Sequence, residues 1–449
     1  MSLQLPADFA ASIKKSLGTG YPAFLEELGQ EPPVSIRLNP HKKIRDTGTA
    51  VPWCSNGRYL PSRPAFTTDP FLHAGAYYVQ EASSMFLEQA IVQHVDRSRP
   101  LRVLDVSAAP GGKSTHMLSL ISDDSLLVAN EVIRSRASVL SENIQKWGHP
   151  NVIVTSNDPQ DFGRLPGFFD VIVLDAPCSG EGLFRKDKDA MQEWSTRHVQ
   201  LCAQRQERIL HDVWPSLKQN GVLIYSTCTY EEAENMDQLI TMIKNYGAEC
   251  LPLELQAPWN ITTLKKENGT GYQLYPHLVK GEGFFIGALR KKTEEDYQER
   301  FAGKKKVLVP TAEVISQVSG WVDDPARCCW IQHGETVHMM PEGMLLDWPT
   351  LQSNLNVVYA GTAVGTITRN KIIPEHSLAL SIQLKKESHS SVELSTNDAL
   401  QYLRKNSITI DAPEGMTLVT YGGLGLGWLN VLKNRSNNLY PVNWRIRNL

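Results

Sequence analysis

Two hydrophobic patterns alternate through the middle of the chain. Short runs of β-branched and other apolar residues are separated by longer stretches in which apolar residues recur at helical spacing. The short runs occupy 101–106, 126–131, 151–158, 170–177, 221–228 and 281–290, and the longer stretches include 134–146 and 189–218. Strands that alternate with helices are typical of a doubly wound, mostly parallel sheet. We therefore predict a Rossmann-like α/β domain over residues 98–292.

The preceding region has a different pattern. Residues 1–97 begin with an amphipathic helical stretch, pass through a loop that contains proline, glycine and tryptophan, and return to helical spacing near 80–95. We predict a separate N-terminal α+β domain here, with a role in positioning the substrate. Residues 293–306 are rich in charge and are predicted to form a linker.

The C-terminal residues 307–449 contain many short β-type runs separated by turn residues, so we predict a β-rich region. Among these runs are NVVYAG (356–361), LALSIQL (378–384) and SITI (407–410). The glycine-rich segment GGLGLGW (422–428) lies between two other runs. We interpret it as a β-turn and not as a nucleotide-binding loop.

The composition is that of an ordinary globular protein, with 41% hydrophobic and 21% charged residues. Neither a signal peptide nor a long apolar span is evident, so we expect a cytoplasmic protein without a membrane partner. The seven cysteines include no CxxC pair, which argues against a disulfide framework and a zinc site. We therefore expect reduced thiols, no metal and a monomer.

The net charge of −3 does not by itself indicate a nucleic-acid partner. Basic residues are nevertheless clustered in three places, at 37–45, 304–306 and 421–449. Such clusters are usually solvated surface, but three in one chain favour an RNA partner modestly. Trp428, Tyr440 and Trp444 lie among the last group and are candidates for stacking on bases, with ordinary core positions equally open.

A loop of small residues, here called the small-residue loop, follows the first strand-like run. Its members are Ser107, Ala108, Ala109, Pro110, Gly111, Gly112 and Lys113. Small side chains let a ligand approach the backbone closely, and the loop lacks both patterns that bind pyrophosphate. Glu131, at the end of the second run, suits ribose hydroxyls, and Asp158, at the end of the third, suits an adenine edge. A nucleoside ligand without a polyphosphate chain fits, and S-adenosylmethionine is such a ligand.

Two cysteines lie at the ends of successive strand-like runs, Cys178 directly after the fourth and Cys228 as the last residue of the fifth. Those strands are usually neighbours, about 4.8 Å apart, so both thiols should face one cleft. A single buried cysteine is usually inert packing, but two at equivalent strand ends are harder to dismiss. Thr229 and Glu232 fit a capping box, which predicts a helix N-terminus beside Cys228 that favours its thiolate.

A thiolate beside a methyl donor indicates a particular chemistry. Carbon 5 of cytosine is a poor nucleophile, but attack of a thiolate on C6 produces an enamine that accepts a methyl group at C5. Loss of the C5 proton and of the thiolate then restores the aromatic ring. A carboxyl group near N3 would stabilise the charge that develops in the ring, and Asp175 is the candidate.

Several motifs resemble those of the RNA 5-methylcytosine methyltransferases, the Nop2/Sun/Fmu family. They occur in order at fitting spacing: GAYYVQEASSM (75–85), SAAPGGK (107–113), NDPQDF (157–162), DAPCSGEGLFRKD (175–187) and STCTYEEAEN (226–235). The likeness covers roughly residues 35–290. Ser107 stands where this family often has Cys or Ala, a change that a backbone contact should tolerate.

The resemblance implies a role for each matching residue. The small-residue loop, Glu131, Asp158 and Asp175 would hold S-adenosylmethionine. Cys228 matches the nucleophile, and Cys178 matches a second cysteine that assists product release. Lys113 would approach the substrate ring or Asp175. The length and the C-terminal segment 428–449 resemble a bacterial subgroup with a PUA-like RNA-binding module. That subgroup acts on 16S rRNA in the decoding region, which implies 16S rRNA as partner, free or within the 30S subunit.

Four other hypotheses are weighed. A tRNA cytosine-5 methyltransferase would use the same chemistry. A DNA cytosine-5 methyltransferase would place its nucleophile at Cys178, and the additional Cys228 argues against it. A non-catalytic RNA-binding assembly factor would not need the set formed by Lys113, Asp175 and the two cysteines. A redox switch built on the two cysteines lacks CxxC spacing.

Overall fold

The computed structural model describes residues 5–46, 48–293, 307–369 and 371–447. The N-terminal elements are α1 (Ala7–Leu17), α2 (Tyr21–Leu28), β1 (Val34–Leu38), β2 (Thr49–Ala50), β3 (Gly57–Leu60), α3 (Pro70–His73), β4 (Tyr77–Val79) and α4 (Leu87–His94). Their strands form a four-stranded sheet in the order β2-β3-β1-β4, in which every pair is antiparallel. This part therefore has the α+β architecture that its pattern predicts.

The central elements alternate between strands and helices. They are β5 (Arg102–Asp105), α5 (Gly112–Leu118), β6 (Leu126–Asn130), α6 (Arg134–Trp147), β7 (Val152–Thr155), β8 (Phe169–Asp175), α7 (Lys188–Glu193), α8 (Thr196–Val213), β9 (Leu217–Thr227), α9 (Met236–Tyr246), β10 (Glu249–Cys250), β11 (Thr262–Lys266), β12 (Gly269–Leu274) and β13 (Phe284–Arg290). Strands β9, β8, β5, β6 and β7 are parallel neighbours in that order. The antiparallel strand β13 pairs with β9 at the other side.

The parallel strands are buried on both faces, which explains their unbroken apolar runs. One hydrophobic cluster covers each face, and α6 and α8 contribute to opposite clusters. Since the chain crosses from one face to the other in this way, the sheet is doubly wound. The Rossmann-like α/β prediction is confirmed, and the stretch 189–218 resolves into two helices and the start of β9.

The C-terminal elements are α10 (Ala312–Ser319), β14 (Cys328–His333), β15 (Thr336–Pro341), α11 (Trp348–Asn354), β16 (Val357–Ala360), β17 (Thr362–Ile367), β18 (Ile372–Pro374), α12 (His376–Leu380), β19 (Ser390–Glu393), α13 (Thr396–Leu403), β20 (Gly415–Tyr421), β21 (Leu424–Leu432) and β22 (Arg435–Asn438). They build two four-stranded sheets, β14-β15-β17-β18 and β19-β20-β21-β22. The turn between β20 and β21 includes Gly422 and Gly423, as interpreted from the sequence.

Two of the three short runs named for the C-terminal region do not form strands, and the third forms a strand in an unexpected place. The run 378–384 begins inside α12 and forms no strand, and the run 407–410 is not a strand either. The run 356–361 does contain a strand, β16, but it joins the central sheet by pairing antiparallel with β7. A short apolar run is ambiguous between a strand and a buried helix, because both periodicities fit a few residues.

The predicted linker lies mostly outside the described residues, as do Lys304, Lys305 and Lys306. The domain borders given above remain predictions. No helix among the described ranges is both long and apolar enough to cross a membrane.

Candidate functional site

A cavity of about 470 Å³ opens at the carboxyl ends of β5, β8 and β9. Open α/β sheets bind ligands at this edge. Most of the small-residue loop, together with Asp175 and Cys228, lines one side of the cavity. The rest of the wall comes from Leu183 and two distant segments, Tyr78–Glu81 with Ser84, and Glu282–Phe284. The N-terminal domain therefore supplies part of the wall.

The small-residue loop turns sharply between β5 and α5. Gly111 has a φ of +117°, which a residue with a side chain rarely adopts. Ser114, in the first turn of α5, donates a hydrogen bond to Asp105 Oδ2 at 2.6 Å. The other oxygen, Asp105 Oδ1, is buried and has no hydrogen-bond partner within the described residues. Burial raises the pKa of Asp105 to about 7.

The two other acidic candidates lie at the same edge of the sheet but are not part of the cavity wall. Glu131 follows β6 directly, is buried, and accepts the backbone N–H of Ile133 at 2.9 Å. Asp158 lies three residues beyond β7 and accepts the backbone N–H of Gln160 at 3.2 Å. Gly111 also lies outside the wall, because it turns toward α6.

Lys113 and Asp175 form an ion pair inside the cavity. The Lys113 Nζ lies 2.6 Å from Asp175 Oδ2 and 5.3 Å from the centre of the Phe284 ring. Ser226 donates a hydrogen bond to the other Asp175 oxygen at 2.8 Å. Of the two roles that the resemblance left for Lys113, the structure places it against Asp175, within reach of a ligand in the cavity.

The two cysteines meet as the neighbouring strand ends predict. Their sulfur atoms lie 3.2 Å apart, and the Cys228 backbone N–H points to Cys178 Sγ at 3.4 Å. Both thiols are free, and both residues are half-buried. The hydrogen bond to Cys228 and burial hold the pKa of Cys178 well above its usual value, so Cys178 keeps its proton.

The capping box predicted at Cys228 is absent. Helix α9 begins at Met236, and a single turn of 3₁₀-helix at Glu232–Glu234 precedes it. Thr229 Oγ1 accepts instead from the backbone N–H of Glu231 at 3.3 Å and donates to Glu181 Oε2 at 2.9 Å. A helix N-terminus therefore does not lie beside Cys228.

Sequence reasoning missed two buried glutamates that join the cysteine-bearing loops. Glu181 accepts hydrogen bonds from Thr229 Oγ1, the Tyr230 backbone N–H and Trp194 Nε1. Glu234 accepts the backbone N–H of Ser179 at 3.0 Å. Burial, together with the nearby charge of Glu231, raises the pKa of Glu181 to about 8. Glu181 lies within the motif at 175–187 and Glu234 within the motif at 226–235. Their position in these motifs is the one feature of the sequence that could have singled them out.

Two groups of sequence candidates have structural roles. Arg37 and Lys42, from the basic segment 37–45, are buried and do not form a surface patch. Trp428 and Tyr440 are each only 1% exposed, so neither can stack on a base, whereas Trp444 is half-buried. In the segment 421–449 the basic residues that remain exposed are Lys433, Arg435, Arg445 and Arg447.

One group among the described residues has the composition of a metal site. Ligand atoms of Cys54, Glu88 and His116 all lie within 4.8 Å of one another, and the three residues are buried. Structural zinc sites almost always have four protein ligands, whereas Glu88 is already bonded to His116 and to the Ser55 backbone N–H. These contacts explain the cluster without an ion.

Three family models match successive parts of the chain. The model for 16S rRNA methyltransferase RsmB/F matches residues 92–290. The model for the N-terminal domain of 16S rRNA methyltransferase RsmF matches residues 5–82, and that for the methyltransferase RsmF PUA domain matches residues 389–446. The last match includes the β19-β20-β21-β22 sheet and α13.

Solved structures with the same fold include a methyltransferase homologue from Pyrococcus horikoshii. It is 28% identical with a TM-score of 0.55, and the match covers 64% of this chain and 96% of that one. The structure of NSun6 from the same organism, solved with SFG, is 20% identical with a TM-score of 0.55. That match covers 66% of this chain and 100% of the NSun6 chain, and at this identity it supports the fold alone.

Curated relatives align along most of the chain. Ribosomal RNA small subunit methyltransferase F of Psychromonas ingrahamii is 37% identical over 409 residues, which cover 88% of this chain and 84% of the relative. The protein of the same name from Vibrio cholerae serotype O1 is 31% identical over 415 residues, which cover 88% of this chain and 85% of the relative. The chain therefore belongs to the ribosomal RNA small subunit methyltransferase F family.

Proposed function

We propose that this protein methylates carbon 5 of a cytidine in RNA, with 16S rRNA as its substrate, through a covalent bond between Cys228 and C6 of the base. The observation that carries this proposal is the pair of cysteine sulfurs 3.2 Å apart, with Cys228 in the same cavity as the Lys113–Asp175 ion pair. The choice of 16S rRNA rests on the names of the relatives and on the RsmF-type PUA match.

The cavity suits S-adenosylmethionine as the cofactor. The small side chains of the small-residue loop leave its backbone accessible, and Asp105 Oδ1 is a buried polar atom without a hydrogen-bond partner among the residues that the structure describes. We assign the small-residue loop and Asp175 to cofactor binding, with Glu131 for the ribose hydroxyls and Asp158 for the adenine. When bound, the cofactor supplies an electrophilic methyl group.

The residues of the chain divide the remaining work. The Cys228 thiolate adds to C6, and Cys178, which keeps its proton, can donate a hydrogen bond to that thiolate before the addition. Asp175, held by Lys113 and Ser226, is placed to pass a proton taken from solvent to N3, and this proton offsets the negative charge that the addition of the thiolate brings into the ring. After the methyl transfer, a water molecule that enters the cavity accepts the C5 proton, the Cys228 sulfur leaves C6 as a thiolate, and the aromatic ring is restored. Cys178 assists this release by donating a hydrogen bond to the departing thiolate.

The test compares two cysteine variants on 16S rRNA. We expect Cys228→Ala to abolish methyl transfer and Cys178→Ala to accumulate a covalent RNA adduct that survives denaturing electrophoresis. Cys202→Ala is the matched control, because Cys202 is a buried cysteine on α8 outside the cavity. Full activity of Cys228→Ala would contradict the proposal and favour Cys178 as nucleophile, as in the DNA-type hypothesis.

The substrate requires a separate measurement. We expect mapping of 5-methylcytosine to find a new site in 16S rRNA, free or in 30S subunits, when purified protein and S-adenosylmethionine are added. Modification of tRNA with none in 16S rRNA would support the tRNA alternative. Failure of every RNA to accept a methyl group, despite binding, would support an assembly factor.

A further inference from the structure

We propose that Arg37, on β1 of the N-terminal domain, is a positioning residue that holds the small-residue loop and Lys113 in place. The N-terminal domain would then be a structural part of the cofactor site as well as a wall of the cavity. The assignment of the loop to the cofactor rests on the proposed function, whereas the effect of Arg37 on the order of the loop does not.

The Arg37 guanidinium reaches both ends of the first turn of α5. Its Nη2 donates to Thr115 Oγ1 at 2.6 Å and to the Gly112 carbonyl at 3.2 Å. Its Nη1 donates to the Thr115 carbonyl at 3.3 Å and to Ser119 Oγ at 3.4 Å. Gly112 and Thr115 flank Lys113 and Ser114, so the hydrogen bonds from Arg37 fix the backbone on both sides of Lys113.

The same guanidinium also holds a second part of the cavity wall, which the N-terminal domain supplies. Arg37 Nε donates to Gln80 Oε1 at 2.7 Å, and Gln80 lines the cavity together with Gly112. The face of the guanidinium lies 4.5 Å from the centre of the Trp147 ring on α6. The Arg37 side chain therefore connects two parts of the cavity wall, Gln80 and Gly112, to Trp147 on α6.

The burial and charge of Arg37, together with the shape of its guanidinium group, indicate that lysine could not replace it here. Arg37 is 0% exposed, and its hydrogen bonds go to neutral acceptors. Burying a charge without a charged partner costs free energy, so these hydrogen bonds must offset that cost. Burial lowers the pKa of Arg37 to about 10, so it is still charged at neutral pH. A planar fork of five N–H donors can hold several acceptors at once, whereas the compact ammonium group of lysine cannot.

Neighbouring residues of α5 are also fastened to other elements. Ser114 donates to Asp105 on β5 at 2.6 Å, and His116 Nε2 lies 2.9 Å from Glu88 Oε2 on α4. Arg37 holds Thr115 between them. Three successive residues of this short helix are thus bonded to three different elements, two of which belong to the N-terminal region. This arrangement fixes the loop that precedes the helix.

The first test is the order of the loop without any ligand. In Arg37→Lys we expect backbone amides of residues 107–119 to exchange hydrogen about tenfold faster than in the wild type. Lys42→Met is the control, because Lys42 is another buried basic residue of the N-terminal domain, and it donates to the Ala74 and Lys146 carbonyls, away from the cavity. Lys42→Met should lower the melting temperature and leave exchange at 107–119 unchanged.

The second test is the affinity for S-adenosylmethionine, measured by calorimetry on the full chain. We expect the Kd to rise about tenfold in Arg37→Lys and to stay within about twofold in Lys42→Met. If Arg37→Lys does not fold, Thr115→Val provides a second variant, because it removes the acceptor of the shortest hydrogen bond from Arg37. We expect Thr115→Val to raise the exchange rate at 107–119 and the Kd by less than Arg37→Lys would. Slow exchange at 107–119 with an unchanged Kd in a folded Arg37 variant would overturn the inference. A wild type that binds no S-adenosylmethionine would instead overturn the proposed function, whatever the exchange result.

Discussion

Asp105 lies at the end of β5 with its carboxyl group fully buried under the small-residue loop. Only one of its oxygens has a hydrogen-bond partner in the described part of the chain. A carboxyl group in such surroundings prefers to keep its proton, which is why its pKa rises to about 7 from the usual 3.8. We therefore expect this single residue to make the stability of the fold dependent on pH.

We predict that Asp105→Asn removes this dependence. The native state of the wild type binds the proton more tightly than the unfolded state does. Its stability therefore falls as the pH rises from about 4 to about 7. The fall is at most about 1.4 kcal/mol for each pH unit in that window. Urea unfolding at several pH values should show the wild type losing stability relative to Asp105→Asn as the pH rises. Asp123→Asn is the control, because Asp123 is exposed. If the difference in the free energy of unfolding between the wild type and Asp105→Asn does not change with pH, the prediction is wrong.

At the scale of elements, the packing of two turns determines where Cys228 lies. The turn Glu181–Leu183 follows β8, and its Gly182 N–H donates to the Cys228 carbonyl at 2.8 Å. A Cβ atom added at Gly182 would lie 2.9 Å from that same carbonyl oxygen and would also collide with the Gly283 carbonyl. Only glycine allows the two turns to approach this closely.

We predict that Gly182→Ala displaces the Cys228 turn and lowers kcat at least about tenfold, because small displacements of a reacting group slow catalysis strongly. The Kd for S-adenosylmethionine should change much less, since the small-residue loop is not touched. Gly163→Ala is the control, because a Cβ atom there would meet only the Asp212 carbonyl oxygen, at an ordinary 3.7 Å. Equal kcat values for the two variants would be evidence against this role of Gly182.

Element by element, the sequence predicted what depends on local pattern. The parallel strands were predictable because strands buried on both faces have unbroken apolar runs. Cys178 and Cys228 could be placed together because parallel strands end at one edge. The prediction of a capping box was wrong because the Thr229 hydroxyl donates to Glu181. Glu181 is 48 residues away in sequence, and no local pattern reveals a contact at that separation. Arg37 departs from the surface position predicted for the basic segment 37–45, because it is held by Thr115 on α5, which is 78 residues away in sequence.

At the scale of the whole molecule, the N-terminal and C-terminal regions both complete the central domain. Arg37 and Gln80 supply structure to the cavity from before the central sheet begins. Lys42, from the same region, donates to the last turn of α6, and Ile382 from the C-terminal region donates its N–H to the Gly148 carbonyl just beyond it. Domain borders drawn from composition therefore separate residues that act together.

The pairing of β16 with β7 has a consequence for any shortened form of the protein. In the full chain, Tyr359 and Ala360 lie opposite Val154 and Ile153, so the outer edge of β7 is covered. A fragment of residues 1–306 would leave that apolar strand with unpaired backbone groups, which are a template for self-association. We predict that this fragment forms soluble oligomers or aggregates in light scattering at concentrations where the full chain does not. An excess of a peptide covering 355–361 should suppress the association, whereas a scrambled peptide should not. If the fragment stays as monodisperse as the full chain, β16 is not needed to prevent self-association through β7.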